Sequence, residues 1–320
     1  MIDQQKGLFR RHLYFVSFVV ASSLVFAGSL RNLVRIALTH DYDSQILFVA
    51  PISAFFLYQK RREVFANVRW DCVPGLILFF AGAALGILPV LIAQFRSDDY
   101  LWIRVLGLVI LWIASFVFLY GVPAFRTARF PLLFLFLLLP LPDFLVERAV
   151  SLLQQGSAFV AFSLFKALNV PVMREGLVFH VPTLDLEVAK ECSGIRSSVI
   201  LLVTTLLAGE FVLRSLWRKL VLVLCVIPIV VLKNGLRIVT ISLLTIYVNR
   251  GFLHGWLHQS GGVVFYMLGL LSLLPILNLL KRGEIQGGQT SSSTSARPAM
   301  GNVKRSPDHL QAPEPMNRAK

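Results

Sequence analysis

Three short polar stretches break into the apolar C-terminal half of this chain, and each carries a residue able to do chemistry. The first, Glu191-Cys192-Ser193-Gly194-Ile195-Arg196-Ser197-Ser198, sets a thiol just ahead of a long apolar run. A cysteine at a helix start feels the positive end of the macrodipole and unpaired backbone N–H groups, which stabilise the thiolate, the reactive form. The same N–H groups can receive an oxyanion. The second stretch, Asn234-Gly235-Leu236-Arg237, places a guanidinium well inside an apolar run. The third, residues 254–262, carries His254 and His258 ahead of Gly261-Gly262. A nucleophile, a fixed cation and an imidazole suit attack on a carbonyl with a proton relayed to the leaving group.

Other chemistry fits some of the same residues. His254 and His258 are four apart, so on a helix they share a face and with Cys192 outline a zinc site. No carboxylate or fourth ligand has the expected spacing, so neither a metal nor another cofactor is expected. Arg237 could instead anchor a helix kink or pair with a carbonyl. Arg196, one turn beyond Cys192, could lower the thiol pKa, hold a substrate carboxylate or snorkel to the interface. Ser193, Ser197 and Ser198 read as capping and packing residues, and Cys72 and Cys225 as small buried hydrophobes. The three cysteines are too scattered for a disulfide framework.

The elements that must hold these residues are transmembrane helices. The chain has 320 residues, 56% hydrophobic and 15% charged, with a mean hydropathy of +0.71, too apolar for a water-soluble domain of that length. Windows near the roughly 20 residues needed to cross about 30 Å of hydrocarbon fall at 12–30, 72–94, 100–120, 195–213 and 262–280. Shorter candidates lie at 44–59 and 130–146, and a long one at 220–248 is one tilted helix or two pieces broken at Asn234-Gly235. The first window reads as a span rather than a cleaved signal, since it is long and more spans follow.

The net charge of +14 sits in short clusters between apolar runs, a pattern of topology and not of nucleic-acid binding. Lys6/Arg10/Arg11, Lys60/Arg61/Arg62/Arg69, Arg126/Arg129, Arg214/Arg218/Lys219 and Lys281/Arg282 are assigned to the cytoplasmic face. The loops around Asp41/Asp43, Asp98/Asp99, Asp143/Glu147 and 174–191 are then extracytoplasmic. This alternation closes if 149–168, which carries Gln154, Gln155, Ser157 and Lys166, is an amphipathic helix at the outer interface. The expectation is an all-α polytopic membrane protein of about eight spans with both termini cytoplasmic. Around 177–188 the period changes to two after a Pro182-Thr183 break, predicting a short extracytoplasmic hairpin before Cys192. The composition of 283–320 predicts a disordered cytoplasmic tail behind a transmembrane unit at 1–282. No internal repeat of the transporter kind is found.

The order of the ECSGIRSS element, the N-x-x-R element and the H-x-x-G-G element on successive spans resembles the exosortase and archaeosortase family. The resemblance covers roughly 139–280, including the LPLP turn at 139–142 and the REG segment at 174–176. It implies a membrane-embedded cysteine protease or transpeptidase of a bacterial or archaeal cytoplasmic membrane, its site facing outward. By position, Cys192 is the nucleophile, Arg237 the oxyanion stabiliser and His258 the general acid and base; His254 does not match. Ser193, Gly194, Arg196, Asn234 and Gly262 are supporting residues. The implied substrate is an exported protein whose C-terminus carries a short motif of the PEP-CTERM type, a transmembrane helix and a basic tail. Two rival readings are a transporter or polysaccharide-export component, and a rhomboid-like serine protease using Ser193 with His258. The first predicts mid-membrane carboxylates and repeat symmetry, which the sequence lacks. The second passes over the adjacent, better-matched thiol.

Overall fold

The computed structural model describes residues 2–39, 43–91, 100–181, 184–188, 194–248 and 256–294. Twelve α-helices, one 3-10 turn and a small sheet account for them. In the N-terminal half, α1 (Ile2–Val25), α2 (Ala27–Thr39), α3 (Ile46–Gln59), α4 (Arg61–Val64) and α5 (Cys72–Leu91) surround α6 (Leu101–Thr127). The reason is legible in α6: Leu108, Val109, Leu111, Ala114, Phe116 and Val117 are buried on all sides of the helix, leaving no broad stripe for solvent or lipid. After α7 (Arg129–Phe134) and the 3-10 turn (Leu135–Leu138), the chain bends by 95° into α8 (Asp143–Ala167). The two prolines Pro140 and Pro142 fall in that bend, where they stop the incoming helix and supply the extended residue ahead of α8.

Among the described residues six helical stretches are long and apolar enough to cross a bilayer, or seven if the bent pair is one span. The exterior agrees with lipid as solvent: Leu24, Phe80, Phe159 and Leu232 are large, apolar and exposed. The protein is thus all-α and polytopic. The count of about eight differs chiefly at α3, whose 14 residues extend only about 21 Å.

Of the two readings of the long run, the break at Asn234-Gly235 is absent; the apolar stretch Leu216–Tyr247 is one candidate span that divides at Cys225 into α10 (Leu216–Leu224) and α11 (Val226–Tyr247). Two sequence expectations need correction. Gln154 and Ser157, taken as the water-facing side of an interfacial helix, are buried, because α8 turns them toward α11 and the sheet. Cys72, taken as buried, is exposed at the first residue of α5.

The period-two stretch forms a three-stranded antiparallel sheet, β1 (Met173–Glu175), β2 (Val178–Val181) and β3 (Leu184–Glu187). Its register pairs Met173 with His180 and His180 with Asp185. Phe179 points inward and is wholly buried against Phe165 of α8, ring centroids 5.9 Å apart. His180 lies on the outer face, where Nδ1 stands 2.7 Å from the Asp185 carboxylate. Beyond the sheet come α9 (Ile195–Val212), then α10, α11 and α12 (Trp256–Thr294). The last helix continues past Arg282 to Thr294, into the stretch whose composition predicts no fold.

Candidate active site

Gly194 begins the best-defined part of the site. It is the residue before α9, with φ +72°, a left-handed conformation that glycine adopts without the Cβ penalty. A side chain would also collide: a Cβ built there stands 3.0 Å from the Asn234 amide oxygen. The Gly194 carbonyl is heavily used, accepting from the Ser198 N–H at 3.0 Å, the Ser197 hydroxyl at 3.0 Å and the Ser198 hydroxyl at 2.7 Å. Gly194 has no side chain with which to cap α9, and the hydroxyls of Ser197 and Ser198 point back to its carbonyl and not to the first-turn N–H groups.

Asn234 fixes this corner from α11. Its Nδ2 donates to Ser157 Oγ of α8 at 3.0 Å, and both residues are buried. The adjacent Gly235 lets the two helices approach: a Cβ there would stand 2.6 Å from Val160 Cγ1 and 3.2 Å from the Ser157 carbonyl. One turn from Ser157, Gln154 donates to the Val188 carbonyl at 2.7 Å, tying α8 to the strand end from which the chain leads to Cys192. On the other side of Asn234, buried Lys233 donates to Ser197 Oγ at 2.5 Å. A Cβ on Gly269 of α12 would stand 3.2 Å from Lys233 Cδ, and Tyr266 of α12 hydrogen-bonds Thr204 of α9 at 3.0 Å.

The sequence-predicted residues therefore fall into two groups. Gly194 and Asn234 are brought into contact, Arg237 lies half-buried one turn beyond Lys233 on α11, and Arg196 is exposed on α9. Cys192, Ser193 and His254 lie outside the described residues, and of His258 only the backbone is described, in the first turn of α12. Gly262 follows one turn later, with nothing within 4 Å of an added Cβ. Sequence reasoning did not select Lys233, Gln154 or Ser157 for the site. The signal was present in each case, as a polar residue among apolar ones, but read as an interruption or as an amphipathic face. Among the described residues no cluster of three His, Cys, Asp or Glu could hold a metal.

The arrangement joins the start of α9, which follows Cys192 closely in sequence, to α11, which carries Arg237, through a polar contact between α8, α9 and α11. In comparisons with curated proteins and with solved structures, nothing matches. A family model described as transmembrane exosortase matches residues 37–275, a stretch that begins about a hundred residues before the motif-bearing region and contains all three motif elements. The chain therefore belongs to the transmembrane exosortase family, integral membrane proteases and transpeptidases that act on exported proteins bearing sorting signals.

Proposed function

We propose that this exosortase cleaves the C-terminal sorting signal of exported proteins through a thioester on Cys192. The observation that carries the reading is the contact of Gly194 with Asn234. It places the residue two after Cys192 beside the N-x-x-R element, whose Arg237 follows one turn later. In the proposed reaction the Cys192 thiolate attacks the scissile carbonyl carbon, forming a C–S bond and pushing the carbonyl electron pair onto oxygen. Arg237, with first-turn N–H groups of α9, stabilises that oxyanion. Its collapse expels the amine of the tail fragment, which takes a proton from protonated His258. Neutral His258 then removes a proton from the incoming water or amine, which attacks the thioester and releases the thiolate.

The substrate is an exported protein ending in a short motif, a transmembrane helix and a basic tail. The site faces the extracytoplasmic side, both termini are cytoplasmic, and residues 283–320 form a tail behind the 1–282 transmembrane unit. Co-expression with such a substrate from the same genome tests the nucleophile. Cys192→Ala leaves the substrate full length in the membrane, as does His258→Ala, while His254→Ala reduces processing modestly. Full processing by well-expressed Cys192→Ala overturns the cysteine mechanism.

A further inference from the structure

Lys233 has no part in the reaction just described. Among the described residues it is the only buried lysine or arginine, with 4% exposure. It lies in the middle of α11, inside an apolar stretch long enough to span a bilayer. An ammonium held at such depth is costly and marks a functional partner by default. Its position is fixed from three sides: α11 carries it, Gly269 of α12 closes on its alkyl stem, and Ser197 in the first turn of α9 accepts its hydrogen bond. The Ser197 hydroxyl gives its one proton to the Gly194 carbonyl, so its lone pairs are what it offers the ammonium. Lysine, serine and Gly194 thus form one chain of hydrogen bonds ending at the residue before α9.

The result is a fixed positive charge under the first turn of α9, reinforcing the positive end of that helix dipole. Among the described residues at this corner, α11 carries Arg237 one turn on, α9 carries exposed Arg196, and α8 presents uncharged Ser157 and Gln154. Gly194 is two residues after Cys192, and two peptide units cover at most about 7.6 Å. A charge held at the α9 start therefore acts on the chemistry of residue 192.

We propose that Lys233 is a positioning residue of the exosortase reaction: locked on Ser197, its ammonium holds the start of α9 and favours the thiolate of Cys192. The inference rests on Cys192 being the nucleophile. Hydrogen bonds of 2.5 and 3.0 Å separate the ammonium from the Gly194 carbonyl. With the two peptide units added, a unit charge about 12 Å away at an effective dielectric near 20 changes a thiolate population by about tenfold. The sign follows from attraction: removing the cation moves thiolate formation to higher pH.

The test uses full-length enzyme in detergent with Cys72→Ser and Cys225→Ser, leaving Cys192 as the sole thiol. The rate of iodoacetamide alkylation is followed across the neutral to alkaline range, alongside substrate processing. Lys233→Met keeps the stem and loses the charge; its alkylation profile moves up by about one pH unit and processing falls by about tenfold. Lys233→Arg restores both. Ser197→Ala, which leaves the lysine but removes its anchor, shifts the profile in the same direction and serves if Lys233→Met does not fold. Folded Lys233→Met or Ser197→Ala enzyme with the parental alkylation profile overturns the inference, even where Cys192→Ala is inactive. Processing that survives Cys192→Ala instead overturns the nucleophile assignment and, with it, the premise of this inference.

Discussion

Arg237 illustrates how a residue's type and its neighbours together suggest a task. It sits half-buried one turn along α11 from Asn234, whose amide touches Gly194, and is therefore on the element that approaches the α9 start. Under the proposed mechanism its guanidinium meets the oxyanion only in the transition state. Arg237→Ala then lowers kcat and kcat/KM alike by about two to three orders of magnitude. Arg237→Lys keeps the charge but loses the planar fork of donors, and rescues poorly. A helix anchor behaves differently: Lys substitutes well, and Ala lowers the yield of folded protein. Processing per folded enzyme, with folding checked by size exclusion in detergent, separates the two, and near-parental processing by folded Arg237→Ala removes Arg237 from the chemistry. At this scale the sequence was readable where a residue violates its surroundings, as Asn234 does inside an apolar run, and the structure brings it beside Gly194. It was less readable for Gln154 and Ser157, because a polar residue in a helix looks the same whether it faces water or a partner helix. Only the rotation of α8 decides which, and that rotation is set by α11.

Among the elements, α9 starts at the residue the hydropathy window predicted, and the period-two segment became strands, because both patterns are local. Which of the two readings of the long apolar run holds is decided by a nonlocal contact. Asn-Gly is a strong turn signal in isolation, but here Asn234 spends its amide on Ser157, and Gly235 provides the thin surface on which α8 packs. Helix is kept, and the chain turns at Cys225 instead. This gives a prediction about the α8–α11 contact. Gly235→Leu has to displace Val160, whose Cγ1 is 2.6 Å from the position of an added Cβ and which belongs to a helix that cannot yield alone. Overpacking of this kind costs about 1–3 kcal/mol, and the displaced helix also carries the hydrogen bond to Asn234. Gly235→Leu should lower the melting temperature in detergent and reduce processing per folded enzyme, whereas Gly156→Leu on the same α8, where an added Cβ stands 3.1 Å from Val231 Cγ1 and its nearest neighbours include no backbone atom, should be milder. Equal melting temperatures for the two variants would show that the close crossing at Gly235 is not what holds these helices.

For the whole molecule, three of the basic clusters meet at one end of α9. Lys60, which follows α3, and Lys219 of α10 both bond the same carboxylate, Glu210, near the end of α9. Arg218 donates to the Gly283 carbonyl at 2.8 Å and faces Glu284 of α12. Gly194 and the Lys233–Ser197 pair are at the other end of α9, whose 18 residues extend about 27 Å, close to the roughly 30 Å of a hydrocarbon core. In the proposed orientation, which follows the positive-inside rule, the Glu210 end is cytoplasmic and the α9 start, with the sheet beside it, extracytoplasmic. A cysteine placed at His180, on the exposed face of β2, and another at Met300, beyond the last helix, distinguish the sides. In intact cells or right-side-out vesicles a membrane-impermeant maleimide should label position 180 and leave position 300 unlabelled until the membrane is opened. If both positions react from one side, the number of crossings between them is even and the chain does not pass through α9, the α10–α11 stretch and α12 as three spans. If only position 300 reacts in sealed cells, the three crossings stand but the orientation is reversed, and the lysines around Glu210 then mark the outer face.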